Sequence, residues 1–188
     1  MPLSYTIAPN DCRRYVLKHF TKQQKLTASL FAVYCLALIW IIVFKFQLSL
    51  DTLPSQRSIN LMPFYPGSNG RTSSFINDIL YNMLVFIPYG IYICMLKRGW
   101  PFIKKVLPIL LTSLVFEVVQ YAFGIGASDV NDLLLNTLGG IIGIGIYYAL
   151  QRMLGDRSYM VLNILALIAT ILMIVGLGLL STVITYRF

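Results

Sequence analysis

Five long apolar runs organise this chain, at about residues 27–47, 77–96, 103–123, 132–152 and 160–184. Each is close to the roughly 20 residues a helix needs to cross a bilayer core about 30 Å thick. The pattern predicts an all-α integral membrane protein with five transmembrane helices. Short connections between consecutive runs predict an antiparallel bundle. The first and fifth runs are almost pure hydrocarbon. The middle three are interrupted, by Asn82 and Pro88 in the second, by Glu117 and Gln120 in the third, and by Asn136 and several glycines in the fourth. Polar and ionisable groups are expensive inside a bilayer, so such residues mark a partner or a function.

The interruptions share a level. At a rise of 1.5 Å per residue, Asn82, Glu117 and Asn136 fall roughly 6–9 Å inside the same ends of their runs. Glu117 and Gln120 are spaced i, i+3 and share a helix face, and Asp129, Asp132 and Asn136 follow one face at the start of the fourth run. Three helices are thus expected to bring polar groups together at one end of the bundle.

Charge orients this arrangement. Of the 15 lysines and arginines, 11 lie before the first run, or in or at the edges of the connections between the second and third and between the fourth and fifth. The other 4 are Lys45, Arg57, Arg71 and Arg187, on the opposite side. The positive-inside rule then puts the N-terminus in the cytoplasm, the C-terminus outside and the polar level in the outer leaflet. The net charge of +8 is explained by orientation and by anionic lipid, not by nucleic acid.

The remaining segments say less. Residues 1–25 read as a basic cytoplasmic leader, either a short interfacial helix or a charged tail, with no cleavable signal peptide. The outer segment 48–76 is rich in proline and glycine, and Asn60–Tyr65 is expected to fold back over the helix ends with Phe64 and Tyr65 at headgroup level. The 3 cysteines, Cys12, Cys35 and Cys94, form no C-x-x-C pair and predict neither a disulfide framework nor a thiolate metal site. The inner halves of the runs, such as Tyr89–Leu96 and Gly140–Leu150, show no matching polar residues, which argues against a transport path.

Structural roles compete for several of these positions. Asp129 or Ser128 can N-cap the fourth helix, with Asp132 completing a box in its first turn. Asp78 reads as a cap or a charge compatible with a helix start. Asn82 and Asn136 can be interhelical hydrogen-bond glue, and Gly139, Gly140, Gly143 and Gly145 read as a packing seam. Pro88 frees a carbonyl near Leu84.

In order along the chain stand Asn60-Leu-Met-Pro-Phe64, then Asn82 with Phe86, Pro88 and Gly90. There follow Glu117-x-x-Gln120 and Asp129-x-x-Asp132-x-x-x-Asn136-x-x-Gly139-Gly140. Together they resemble the VanZ-like membrane proteins over about residues 30–152. The resemblance implies a multi-pass protein of the bacterial plasma membrane, with a VanZ-like four-helix core at 26–152 and an additional C-terminal helix at 153–188. It also implies low-level resistance to teicoplanin and related lipoglycopeptides, which bind the D-alanyl-D-alanine end of lipid-linked cell-wall precursors. Many members carry an arginine just before the first aspartate. Here Gly124 to Ser128 contain no base, and Arg57 or Arg71 is the expected substitute.

Two functions fit. In the first, Asn60, Asn82, Glu117, Gln120, Asp129, Asp132 and Asn136 bind a membrane lipid, a lipid-linked precursor headgroup or the lipoglycopeptide, without catalysis or cofactor. In the second, a membrane enzyme acts on lipid or polyprenyl-linked headgroups with Glu117 as acid or base. Asp129 and Asp132 would then hold a divalent cation, Mg²⁺, Mn²⁺ or Ca²⁺ by the oxygen donors.

Overall fold

Apolar stretches of this length satisfy their own peptide groups away from water only by coiling, and the computed structural model is built of helices accordingly. It describes residues 9–43, 59–60, 72–123 and 128–185. The helices are α1 (Pro9–Val43), α2 (Thr72–Leu96), α3 (Phe102–Phe123), α4 (Val130–Leu154) and α5 (Arg157–Thr185). Each contains a stretch long and apolar enough to cross a membrane. Two-residue strands β1 (Ile59–Asn60) and β2 (Ser128–Asp129) pair in parallel, with Ile59 opposite Ser128 and Asn60 opposite Asp129.

Helix bounds depart from the sequence reading in two places. The basic leader is no separate element, because α1 runs unbroken from Pro9 into the first apolar run. Helix α2 starts at Thr72 and so takes in the last part of the expected outer segment. The aromatic fold-back at 61–65, and Arg57 and Arg71 as substitutes for a basic residue, lie outside the described residues.

Side-chain contacts set the relative directions. On α1 and α2, Phe31 meets Tyr92 while Tyr34 donates to the carbonyl of Val85, so numbering rises on one helix as it falls on the other. That bond also supplies a polar partner beside Pro88, whose missing N–H interrupts the ladder of α2. On α3 and α4, Glu117 meets Asp129 and Ser113 meets Asn136, again in opposite senses. Helices α2 and α4 run the same way. A Cβ added at Gly139 would overlap the Met83 carbonyl, and one at Gly143 the Ile87 carbonyl.

Those glycines let two backbones touch, as small residues do between membrane helices. Gly90 joins the seam from α2, where a Cβ would strike the carbonyl of Gly140. Gly145 does not belong to it, since nothing lies within 4 Å of a Cβ built there. The core beside the seam holds Phe86, Ile109, Phe116, Ile144 and Tyr147.

Polar contacts also fill the end of the bundle away from β1 and β2, contrary to the sequence expectation of an apolar inner half. Lys105 is 0% exposed, and its Nζ donates to the Tyr148 hydroxyl at 2.6 Å. Thr27 of α1 meets Tyr159 at 3.0 Å and Asn163 at 2.8 Å on α5. Nearer mid-bundle, Tyr89 and Thr112 join α2 to α3 at 2.8 Å. Tyrosines supply much of this layer, and their hydroxyls sit at the tips of otherwise apolar side chains.

Candidate functional site

The opposite end of the bundle, where α3 finishes and α4 begins, gathers most of the polar residues singled out from sequence. Helix α4 starts at Asp129, whose extended backbone (φ −124°, ψ 125°) and side chain make it the N-cap. Its carboxylate accepts from the backbone N–H of Asn131 at 2.8 Å. The choice between Ser128 and Asp129 as cap is thereby settled for Asp129.

In a capping box, the third helical residue reaches back to the N–H of the cap. That residue is Asp132. Here Glu117 of α3 takes the N–H of Asp129, its Oε2 accepting at 2.9 Å, and Asp132 accepts from the Nδ2 of Asn82 on α2. One cap therefore ties three helices together. Glu117 is 5% exposed, while Asn82, Asp129 and Asp132 are half-buried.

Three carboxylates thus stand around the first turn of α4, where the helix dipole is positive. Strand pairing brings a fourth predicted position to the same place, because the backbone of Asn60 lies against Asp129.

Gln120 and Asn136 flank this centre and do not touch its carboxylates through the bonds they make. Gln120, 2% exposed, donates its Nε2 to the carbonyl of Ile42 at 2.8 Å. That carbonyl belongs to the last turn of α1, where intrahelical partners run out. Asn136, 1% exposed, donates its Nδ2 to the Ser113 hydroxyl at 2.9 Å. The Asn136 contact is interhelical hydrogen-bond glue of the kind expected for Asn82 and Asn136, and Gln120 joins α3 to α1 as well. The amide oxygens, Gln120 Oε1 and Asn136 Oδ1, are buried and make no hydrogen bond among the described residues.

Two polar residues here escaped the sequence reading. Ser113 stands four residues before Glu117, so Ser113, Glu117 and Gln120 form one i, i+4, i+7 stripe on the buried face of α3. That spacing was available as a signal. Asn131 is 5% exposed and carried no such signal. Among the described residues, no group of three or more His, Cys, Asp or Glu is arranged to hold a metal ion.

Comparison with known proteins adds the lineage to this geometry. No solved structure matches the chain. Protein VanZ of Enterococcus faecium is 30% identical over 164 residues, covering 86% of this chain and 92% of that protein. The VanZ/LLP1 family model matches residues 31–152, which takes in Asn60, Asn82, Glu117, Gln120, Asp129, Asp132 and Asn136 together. By that match and by its similarity to Protein VanZ, the chain belongs to the VanZ/LLP1 family.

Proposed function

We propose that the chain is a multi-pass protein of the bacterial plasma membrane, with its N-terminus in the cytoplasm and its C-terminus outside. The end of the bundle that carries Glu117, Asp129 and Asp132 then faces outward and binds a lipid-linked headgroup or a lipoglycopeptide. Binding there gives low-level protection against teicoplanin-type antibiotics. Support for the orientation comes from the basic residues, which cluster at the ends of the apolar runs far from these carboxylates. Support for the role comes from the similarity to Protein VanZ over most of both chains.

The observation that carries the reading is the gathering of three carboxylates on one helix start at the end of an otherwise greasy bundle. Helix capping accounts for two such residues, Asp129 and Glu117. Neighbouring like charges oppose one another, so three carry a cost that capping does not require and a cationic ligand would offset. Binding is favoured over catalysis because the hydrogen bonds of Glu117, Asp132, Gln120 and Asn136 all lock helices to one another. Such side chains are held for recognition.

Teicoplanin susceptibility tests the proposal, in a sensitive Gram-positive host carrying the wild type or Glu117→Gln at equal membrane levels. The expected result is protection by the wild type and loss of most of it in the variant. No protection by the wild type would refute the resistance role. Equal protection by both would remove Glu117 from the site.

A further inference from the structure

Unused hydrogen-bond capacity at the α3–α4 junction defines the kind of group that fits there. The amide of Gln120 faces a carbonyl, that of Ile42, which can only accept. Its nitrogen is therefore the donor, and its Oε1 is left buried with no hydrogen bond among the described residues. Asn136 differs, since its Nδ2 meets the Ser113 hydroxyl, which can donate as well as accept, so its partner does not dictate which amide atom is left over. Gln120 lies one turn beyond Glu117 on α3, and Asn136 packs at Ser113, one turn before it. One buried acceptor oxygen, Gln120 Oε1, thus lies a turn from the Glu117 carboxylate on the buried face of α3.

Donors are scarce in the same place. The N–H groups at the start of α4 would ordinarily draw a phosphate. Here Asp129 takes that of Asn131, and Glu117 takes that of Asp129. A phosphate would also sit against the carboxylates of Glu117, Asp129 and Asp132. Metal ions fit little better, since no trio of acidic, histidine or cysteine ligands forms among the described residues. Acceptors one helical turn apart are separated by about 5.4 Å. That spacing suits a nitrogen lying between them, because each N–H···O bond spans about 2.9 Å.

Resting on the binding reading above, we propose that the junction of α3 and α4 is a recognition site for a primary ammonium group. Glu117 supplies the charge, and Gln120 Oε1, one turn along the same face of α3, accepts a further N–H donor. The ammonium can come from an aminophospholipid headgroup or from the free amine of a lipoglycopeptide. Both present three diverging N–H donors.

Binding to the purified full chain in phosphatidylglycerol nanodiscs tests this with two probe pairs. One is short-chain phosphatidylethanolamine against phosphatidylcholine, and the other is teicoplanin against teicoplanin acetylated at its amine. The expected result is that the free-amine member of one pair binds about tenfold tighter than its blocked partner, as a charge-assisted hydrogen bond would give. The pair that shows the preference identifies the source. Glu117→Gln keeps an acceptor for the Asp129 N–H and so keeps the fold, and it should lose the preference. Gln120→Leu should weaken it severalfold.

Equal binding within both pairs, or a preference unchanged in Glu117→Gln, would overturn the proposal. So would Mg²⁺ binding that Glu117→Gln abolishes while neither pair discriminates. An amine preference without protection in cells supports the ammonium site and refutes the resistance role. Protection without an amine preference does the reverse.

Discussion

The backbone N–H of Asp129 is capped from another helix, by the carboxylate of Glu117 at 2.9 Å. A residue that looks like a lone charge in a membrane run is therefore a structural partner of the next helix's first turn. In the same first turn, Asp132 accepts from Asn82 of α2. Position and function are coupled at this point, and substitutions separate them.

Glu117→Leu removes the acceptor and leaves a buried N–H at the start of α4. The expected cost is about 1–3 kcal/mol of bundle stability. Glu117→Gln retains an acceptor oxygen and should cost under about 1 kcal/mol. Denaturant titration in detergent, followed by circular dichroism, measures both. Equal losses for the two variants would mean that the hydrogen bond contributes nothing and that charge alone matters.

Asn82 and Asp132 form a direct link between α2 and α4. A double-mutant cycle with Asn82→Leu and Asp132→Leu should give a coupling of about 1 kcal/mol, within the range found for polar contacts between membrane helices. Additive losses would place the two side chains out of contact in the membrane.

The α2–α4 seam predicts a sharp difference among neighbouring glycines. Gly139→Ala and Gly143→Ala each force a methyl into a carbonyl of α2, at Met83 and Ile87. Overpacking of this kind costs typically about 1–3 kcal/mol. Gly145→Ala meets nothing within 4 Å and should be neutral or stabilising. Thermal inactivation of the three variants in detergent checks the order. Similar behaviour at all three positions would contradict the seam.

Sequence alone carried the helices, because runs of about 20 apolar residues admit few other structures in a bilayer. The carboxylates and amides were conspicuous for the same reason. Their partners were not. Glu117 binds a backbone N–H and Gln120 a backbone carbonyl, and every residue has both groups, so no side-chain pattern announces such contacts. Gly145 fell outside the seam because two residues beyond Gly143 is about 200° around the helix, on nearly the opposite face. Lys105 was counted among the basic residues that orient the chain. Its long apolar stem instead lies buried, with the ammonium on Tyr148, as lysine stems permit.

Everything proposed for the site depends on which side of the membrane it faces. Single cysteines at Phe123 and Gly99, in a chain whose Cys12, Cys35 and Cys94 are replaced by serine or alanine, report on the two ends of α3. Phe123 is exposed beside the carboxylates, and Gly99 is exposed in the turn before α3. A membrane-impermeant thiol reagent applied to intact cells should label the cysteine at 123 and spare the one at 99, which reacts only after permeabilisation. Labelling of 99 but not 123 in intact cells would put the carboxylates in the cytoplasm, out of reach of an extracellular drug or headgroup, and would contradict the account.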